Sequence, residues 1–373
     1  MIESRRRLRI RSDVAAMDPY VPVEPPEVWA ARLGLAPERL VKLDANENPY
    51  GPSPRARQAL ANLANGHIYP DPAQRTLRQA LAKRLGLDAE RILVGHGSDE
   101  LIDVTLRLLL ERGDVVLDCP PTFGMYRFCT AVSGGRVRAV PRRPDFSLDV
   151  PAIEAAAQDP RVKALFITSP NNPDGSLTPP EVIEQLLRLP LLVVVDEAYI
   201  EFSGAESLMA RPKPADNLVV LRTFSKWAGL AGLRVGYGLF PADIIQQLWK
   251  IKPPYNVNVA GAAAALASLE DVPYLQANVA RLVVQRERLQ AELARFPFLH
   301  PYPSRANFVL CRVSELPARQ VWEALRRRGV LVRYFEQPGL DDCIRVSSGT
   351  PEQVDALLAA LSQIAEEHRG ATG

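Results

Sequence analysis

From about residue 91 onward, short runs of β-branched and aliphatic residues alternate with amphipathic segments of helical length, and this alternation constrains the fold more than any other feature of the chain. The runs are RILVG, VVLD, RVRAV, ALFIT, LLVVVDE, NLVVL and RVGYGLF, the last ending at residue 240. Parallel strands need crossovers of that length, and helices on both faces bury the strands from both sides. The pattern predicts an α/β domain with a mostly parallel, seven-stranded sheet. One crossover is readable in detail. In TPPEVIEQLL, Thr178 can cap, Pro179 suits the first helical position and Glu181 completes a capping box, so a helix from about 179 to 188 feeds LLVVVDE.

Beyond Pro254 a long helical stretch is interrupted near Pro273 and leads into a second α/β unit. That unit contains ANFVLCRV, the helix candidate ARQVWEALRRRG, the strands VLVRYF and CIRVSSGT, and the terminal helix PEQVDALLAALSQIAEEH. The expected organisation is an N-terminal arm with part of a small domain over 1–50, a large domain over 51–273 and a small C-terminal domain over 274–373. At 373 residues the chain has room for two such cores.

Charged residues make up 24% and the formal net charge is +2, which leaves no footprint for nucleic acid. No run approaches the ~18 apolar residues of a membrane span. The segment MIESRRRLRIRSD is basic, carries Glu3 and Asp13, and is followed by no apolar run of signal length; it reads as a mobile arm on a cytoplasmic protein. Four cysteines without a C-x-x-C pair and four histidines without ligand spacing predict reduced thiols and no metal site.

Only seven of the 45 basic residues are lysine, and one of them, Lys226, lies among small and apolar neighbours in TFSKWAGLAGLRVGY. An ammonium group there loses hydration, its pKa falls, and the amine becomes a usable nucleophile. Taken alone, a lysine is more often a solvated surface charge. The other strand ends change the weighting, because ligands of open α/β sheets sit beyond the carboxyl ends of the strands. RILVG enters GHGSDELIDV, where Gly95 and Gly97 permit a tight turn and the amides near Ser98 and Asp99 open a helix; a phosphate site and a plain helix cap both fit. ALFIT enters SPNNPDG, with Asn171 and Asn172, which turn chemistry alone would also explain. LLVVVDE ends on Asp196, a carboxylate that needs a partner in so apolar a run, with Tyr199 three residues on. NLVVL enters RTFSK, with Thr223, Ser225 and Lys226 at one strand end.

Together these groups meet the needs of pyridoxal 5'-phosphate. Lys226 would form the Schiff base, and Asp196 would keep the pyridine nitrogen protonated so that the ring acts as an electron sink. Asn172 and Tyr199 would hydrogen-bond the ring phenolate. The phosphate would take Thr223, Ser225, Arg234 and the amides at Ser98 and Asp99. Phe123, in PPTFGMY, would stack on the ring or else serve as a core aromatic.

The chain resembles the fold-type I, pyridoxal-phosphate-dependent aminotransferases of class II. The matching segments run through it in family order: PYVPVEP, KLDANENPYGPSP, YPDP, GHGSDELID, PPTFGMY, SPNNPDG, VVVDEAYIEF, TFSKWAGLAGLRVGY, ANFVL and IRVSSGT. One departure is Phe123, where relatives often have tyrosine. The resemblance implies a homodimer with shared active sites, in which Tyr50 reaches the partner's cofactor phosphate and Tyr20 closes over substrate. It also implies that Arg345 binds the substrate carboxylate and Arg333 is a second anion ligand. The implied reaction passes the amino group of glutamate to a keto phosphate, imidazole acetol phosphate, in histidine biosynthesis. Aromatic aminotransferases and threonine-phosphate decarboxylase share these motifs and are the alternatives. A cofactor-binding regulator lacks a DNA-binding domain here, and a nicotinamide dehydrogenase lacks its glycine fingerprint.

Overall fold

The computed structural model describes residues 10–19, 22–211 and 216–372. The strands in chain order are β1 (Val41–Leu43), β2 (Ile92–His96), β3 (Val115–Asp118), β4 (Arg136–Ala139), β5 (Val162–Thr168), β6 (Leu192–Asp196), β7 (Leu218–Thr223), β8 (Val235–Leu239), β9 (Leu299–Pro301), β10 (Phe308–Val313), β11 (Val330–Tyr334) and β12 (Cys343–Ser347). Among the described residues they form two sheets. The first has seven strands in the order β2-β8-β7-β6-β5-β3-β4, with β8 antiparallel to both neighbours and every other pair parallel.

This mostly parallel α/β sheet is the one expected from the strand runs, and its burial explains their composition. Val193 and Val195 of β6 enter one core with Ile167 and Val220, while Leu192 and Val194 enter another with Phe166, Val219 and Leu221. Side chains alternate along a strand. Asp196 therefore shares a face with Leu192 and Val194, Thr168 with Phe166, and Thr223 with Val219 and Leu221. Thr168 and Asp196 are register partners, so three polar side chains arrive at the carboxyl edge on the same face.

The helix after ALFIT begins one residue later than the sequence suggests. It spans Pro180–Leu186, its N-cap residue is Pro179, and no side chain caps it. Two successive prolines hold the residues before them extended, with Pro179 at ψ 142°, so helical geometry begins only at Pro180. Thr178 instead donates its N–H to Ser169 Oγ at 3.0 Å. Pro273 sits in the first turn of helix Val272–Leu293, where its missing N–H costs nothing. From the expected arm, Arg11 donates to the Val132 carbonyl at 3.1 Å. All four cysteines are free and buried.

The second sheet has the order β1-β11-β12-β10-β9. β1 pairs in parallel with β11, so an N-terminal strand completes a C-terminal unit whose core includes Leu43, Val309, Ile344, Val346 and Leu361. Helix Val272–Leu293 joins the two cores: Val272, Leu275, Val279 and Leu282 pack in the first, Leu289 and Leu293 in the second. Leaving β1, the chain crosses to the large sheet, and Asn48 Nδ2 donates to the Trp227 carbonyl at 3.2 Å. This crossing carries the segment Asp44–Asn48 over the carboxyl edge.

Candidate active site

A cavity of about 130 Å³ at that edge is lined by Ser98, Asp99, Phe123, Thr168, Asn172, Asp196, Tyr199, Thr223, Ser225, Lys226 and Arg234. It meets an outer cavity of about 290 Å³ that adds Asn46, Arg333 and Arg345 and shares Phe123, Asn172, Tyr199 and Lys226 with it. A larger groove of about 620 Å³ between Trp29, Trp322 and β11 adjoins the mouth through Arg333 and Phe335. The chemistry lies in the smaller spaces, where charged and hydrogen-bonding groups converge.

Lys226 Nζ donates to the Ala45 carbonyl at 3.2 Å and stands 5.9 Å from the centre of the Tyr199 ring. Burial lowers its pKa to about 8, the charges of Arg345 and Arg234 add to the effect, and Glu47 and Asp99 oppose it. Asp196 is buried, and burial raises its carboxyl to about 6 against the pull of two donors. Those donors are Tyr126 Oη, 2.8 Å from Oδ2, and the Ala198 N–H, 3.0 Å from Oδ1. Tyr126 also contacts Thr168 Oγ1 at 2.7 Å and is completely buried against Phe166. Its ring meets Phe123 edge-on at 5.6 Å.

The anion end of the cavity is a cradle of donors. Helix Gly97–Leu109 opens there, with Gly97 at φ 76° and Arg234 at φ 53°. A Cβ on Gly236 would lie 2.3 Å from Ser98 N, and one on Gly97 would lie 2.3 Å from Arg234 Nη2. Glycine is what lets strand β8, the helix start and the guanidinium approach so closely. Thr223 Oγ1 and Ser225 Oγ are 2.9 Å apart and buried, and Arg234 is held by Asp99 Oδ2 at 2.8 Å and the Ala231 carbonyl at 3.2 Å. Two buried hydroxyls, a helix N-terminus and a guanidinium suit a phosphate monoester, and a lysine and a buried carboxylate at the other end suit an aldehyde and a ring nitrogen. The residues present thus fit pyridoxal phosphate. Asp99 contributes through its carboxylate on Arg234 as well as through its position on the helix.

Arg345 spans the two sheets. It donates from Nη1 to Asn172 Oδ1 at 2.5 Å and from Nη2 to the Asp44 carbonyl at 2.8 Å, and its guanidinium lies 5.2 Å from the Phe308 ring. Arg333 is its register partner on β11, so two cations face each other across one strand pair. Asn172 is thereby oriented by Arg345, whereas Asn171 is a turn residue, bonded to Thr122 Oγ1 at 2.9 Å and the Pro121 carbonyl at 2.9 Å. Tyr199 accepts from Asn46 Nδ2 at 3.1 Å and packs edge-on against Phe308.

Tyr50 stays outside this cavity, with the Arg281 guanidinium 5.6 Å from its ring. Tyr20 lies outside the described residues. Reading the sequence overlooked Tyr126, Asp44, Asn46 and Ser347, although the first was quoted within PPTFGMY and the next two within KLDANENPYGPSP. Among the described residues no cluster of His, Cys, Asp or Glu is arranged to hold a metal ion, and no helix is long and apolar enough to cross a membrane.

Comparison with known proteins extends over nearly the whole chain. A family model described as aminotransferase class I and II matches residues 38–361. A histidinol-phosphate aminotransferase from Roseiflexus castenholzii is 52% identical over 365 residues, covering 95% of this chain and 98% of that protein. The crystal structure of histidinol-phosphate aminotransferase from Sinorhizobium meliloti in complex with pyridoxal-5'-phosphate superposes with a TM-score of 0.87 at 30% identity, covering 96% of this chain and 98% of that one. The L-threonine-O-3-phosphate decarboxylase of Porphyromonas gingivalis superposes with a TM-score of 0.76 at 25% identity, covering 87% of this chain and 99% of that one.

Proposed function

This chain belongs to the class I and II aminotransferases, and on that premise we propose that it transfers an amino group between glutamate and imidazole acetol phosphate, the reaction of a histidinol-phosphate aminotransferase in histidine biosynthesis. The observation that carries the reading is the convergence of Lys226, Asp196 and the phosphate cradle at one sheet edge, beneath a cross-strand pair of arginines. Two guanidiniums lining the outer cavity suit a substrate that carries a phosphate or carboxylate group.

Bound in this site, pyridoxal phosphate supplies an aldehyde that takes up the amino group and a pyridinium ring that accepts the electron pair released at the substrate α-carbon. Lys226 Nζ, with its proton affinity lowered by burial, would be the amine that holds the group between turnovers. The same Nζ, once free, would carry the substrate α-proton as general base and then as acid. Asp196 would keep a proton on the ring nitrogen, and Tyr126 holds that carboxylate in place. Thr223, Ser225, Arg234 and the Ser98 amide would hold the phosphate, Asn172 and Tyr199 the ring oxygen, and Phe123, which lines the same cavity, would shield the ring from water. Arg345, with Arg333 beside it, takes the substrate anion in both half-reactions, which its planar fork allows.

The same reading includes a homodimer in which Tyr50 and Tyr20 serve the partner's site. It is supported by the absence of Tyr50 from the lining of its own cavity and by the exposed residues Ile68, Tyr69 and Tyr255, the two tyrosine rings stacked at 4.7 Å. It also includes the domain division at residues 50 and 273, although the two cores meet within helix Val272–Leu293, whose first half packs with the large domain, and a cytoplasmic location. The test compares glutamate-dependent amination of imidazole acetol phosphate and phenylpyruvate by the purified protein. A strong preference for the phosphate ester is expected. Equal rates would make the chain an aromatic aminotransferase, and carbon dioxide released from threonine phosphate would make it a decarboxylase. Lys226→Ala should lose the absorbance band of the lysine-linked cofactor, and persistence of the band would assign that link to another lysine.

A further inference from the structure

Asn46 is buried at φ 54° in the segment that crosses between the sheets, and it makes four hydrogen bonds with three side chains. Its N–H donates to Ser347 Oγ at 2.9 Å, and its carbonyl accepts from Asn307 Nδ2 at 3.0 Å. Its side-chain Oδ1 lies 3.1 Å from Ser347 Oγ, and its Nδ2 lies 3.1 Å from Tyr199 Oη. A serine hydroxyl has one hydrogen. Ser347 Oγ accepts from the Asn46 N–H and gives its own hydrogen to Oδ1, which leaves Nδ2 facing Tyr199. The phenol oxygen then accepts from Nδ2, so its single hydrogen must point elsewhere. The open direction is the cavity it shares with Lys226 and Asp196.

We propose that Ser347 and Asn46 are positioning residues that aim the hydroxyl hydrogen of Tyr199 at the ring oxygen of the cofactor, and so lower the proton affinity of the nitrogen shared by Lys226 and the cofactor. The inference rests on the pyridoxal-phosphate reading of the site. A donor to the ring oxygen stabilises that oxygen's negative charge, which is greatest when the neighbouring nitrogen has lost its proton. The charged groups around Tyr199 are Arg345, Asp196, Asp99 and the nitrogen of Lys226. None of them orients the phenol hydrogen as a neutral amide donor does. Ser347 lies two residues beyond Arg345 on β12, so the strand that takes the substrate anion also sets the direction of the Tyr199 hydrogen.

The test is a pH titration of the cofactor absorbance in the loaded enzyme, with Asn46→Gly, Ser347→Ala, Tyr199→Phe and the double variant Asn46→Gly/Tyr199→Phe. Glycine tolerates the left-handed backbone, so Asn46→Gly deletes the amide while leaving the main-chain bonds of residue 46 in place. The midpoint should rise by roughly half a unit to one unit in Asn46→Gly, as expected for the loss of one hydrogen bond, and by less in Ser347→Ala, which frees the amide to turn. In the Tyr199→Phe background Asn46→Gly should add no further rise, because its effect passes through the phenol. An unmoved midpoint in both Asn46→Gly and Ser347→Ala would overturn the relay, as would an equal rise with and without the Tyr199 hydroxyl. A wild-type protein with no lysine-linked cofactor band to titrate would remove the site reading, and the relay with it.

Discussion

Replacing Tyr126 with phenylalanine removes one oxygen and asks whether Asp196 is tuned by its neighbour or by burial alone. The stack on Phe166 at 4.8 Å and the edge contact with Phe123 at 5.6 Å survive, while the bonds to Asp196 Oδ2 at 2.8 Å and Thr168 Oγ1 at 2.7 Å are lost. A hydrogen bond to a charged acceptor is worth about 1.5–3 kcal/mol and one pKa unit about 1.4 kcal/mol, so the carboxyl should move up by one to two units. From its value of about 6, it would be largely protonated at neutral pH and lost as a counter-charge for the ring nitrogen. The pH dependence has a definite sign. The folded, cofactor-free chain holds this proton more tightly than an unfolded aspartate of pKa 3.8, so stability falls as pH rises from there to about 6. That fall amounts to about 3 kcal/mol. In the variant it should continue above pH 6 by a further ~1.5–3 kcal/mol. Urea unfolding of both cofactor-free proteins between about pH 5 and 8 measures this, because the wild-type-minus-variant difference cancels other titrating groups. A difference that stays constant across that range would show that Tyr126 does not tune Asp196.

Gly236→Ala drives a methyl group to 2.3 Å from Ser98 N and should displace the start of helix Gly97–Leu109. Overpacking of this kind costs ~1–3 kcal/mol, and cofactor affinity measured by dialysis should fall by about tenfold or more, whereas unchanged affinity would remove the helix start from the phosphate site. Glu197 is buried, and burial raises its carboxyl to about 7 despite the nearby Arg222 and the Leu208 N–H donor at 2.7 Å. The raised pKa makes the wild-type chain lose stability as pH rises from the ordinary glutamate value of 4.5 to about 7, a loss of ~3 kcal/mol that should be absent from Glu197→Gln in denaturation at the two ends of that window. Arg345→Lys gives up the fork that bonds Asn172 and the Asp44 carbonyl, and kcat/KM should fall by about a hundredfold for glutamate and for the phosphate substrate alike. A fall for only one of them would assign the other anion to Arg333.

The strand ends were legible in the sequence because their chemistry and their burial are written in the same few letters. Asp196, Thr223 and Lys226 each follow an apolar run, and alternation within the runs decides which of them share a face. The proline pair at 179 and 180 misled for a local reason: a capping pattern was read without allowing that each proline holds the residue before it extended. The partners of the proposed catalytic groups were hidden for a topological one. Asn46 meets Ser347, and Arg345 meets the Asp44 carbonyl, across 301 residues of chain in each case. Both pairs exist because β1 leaves the N-terminal region to pair in parallel with β11, which carries the ANENP segment across the carboxyl edge of the other sheet. Had VKL been read as a strand of the C-terminal sheet, the residues after it would have had to pass over Lys226, and an asparagine in a left-handed turn there would have stood out as a side chain with a task. Tyr126 offered a fainter signal: on a helix entered from PPTFG, three residues beyond an aromatic facing the cavity, its hydroxyl had to find a buried acceptor, and the nearest carboxylate at that edge is Asp196.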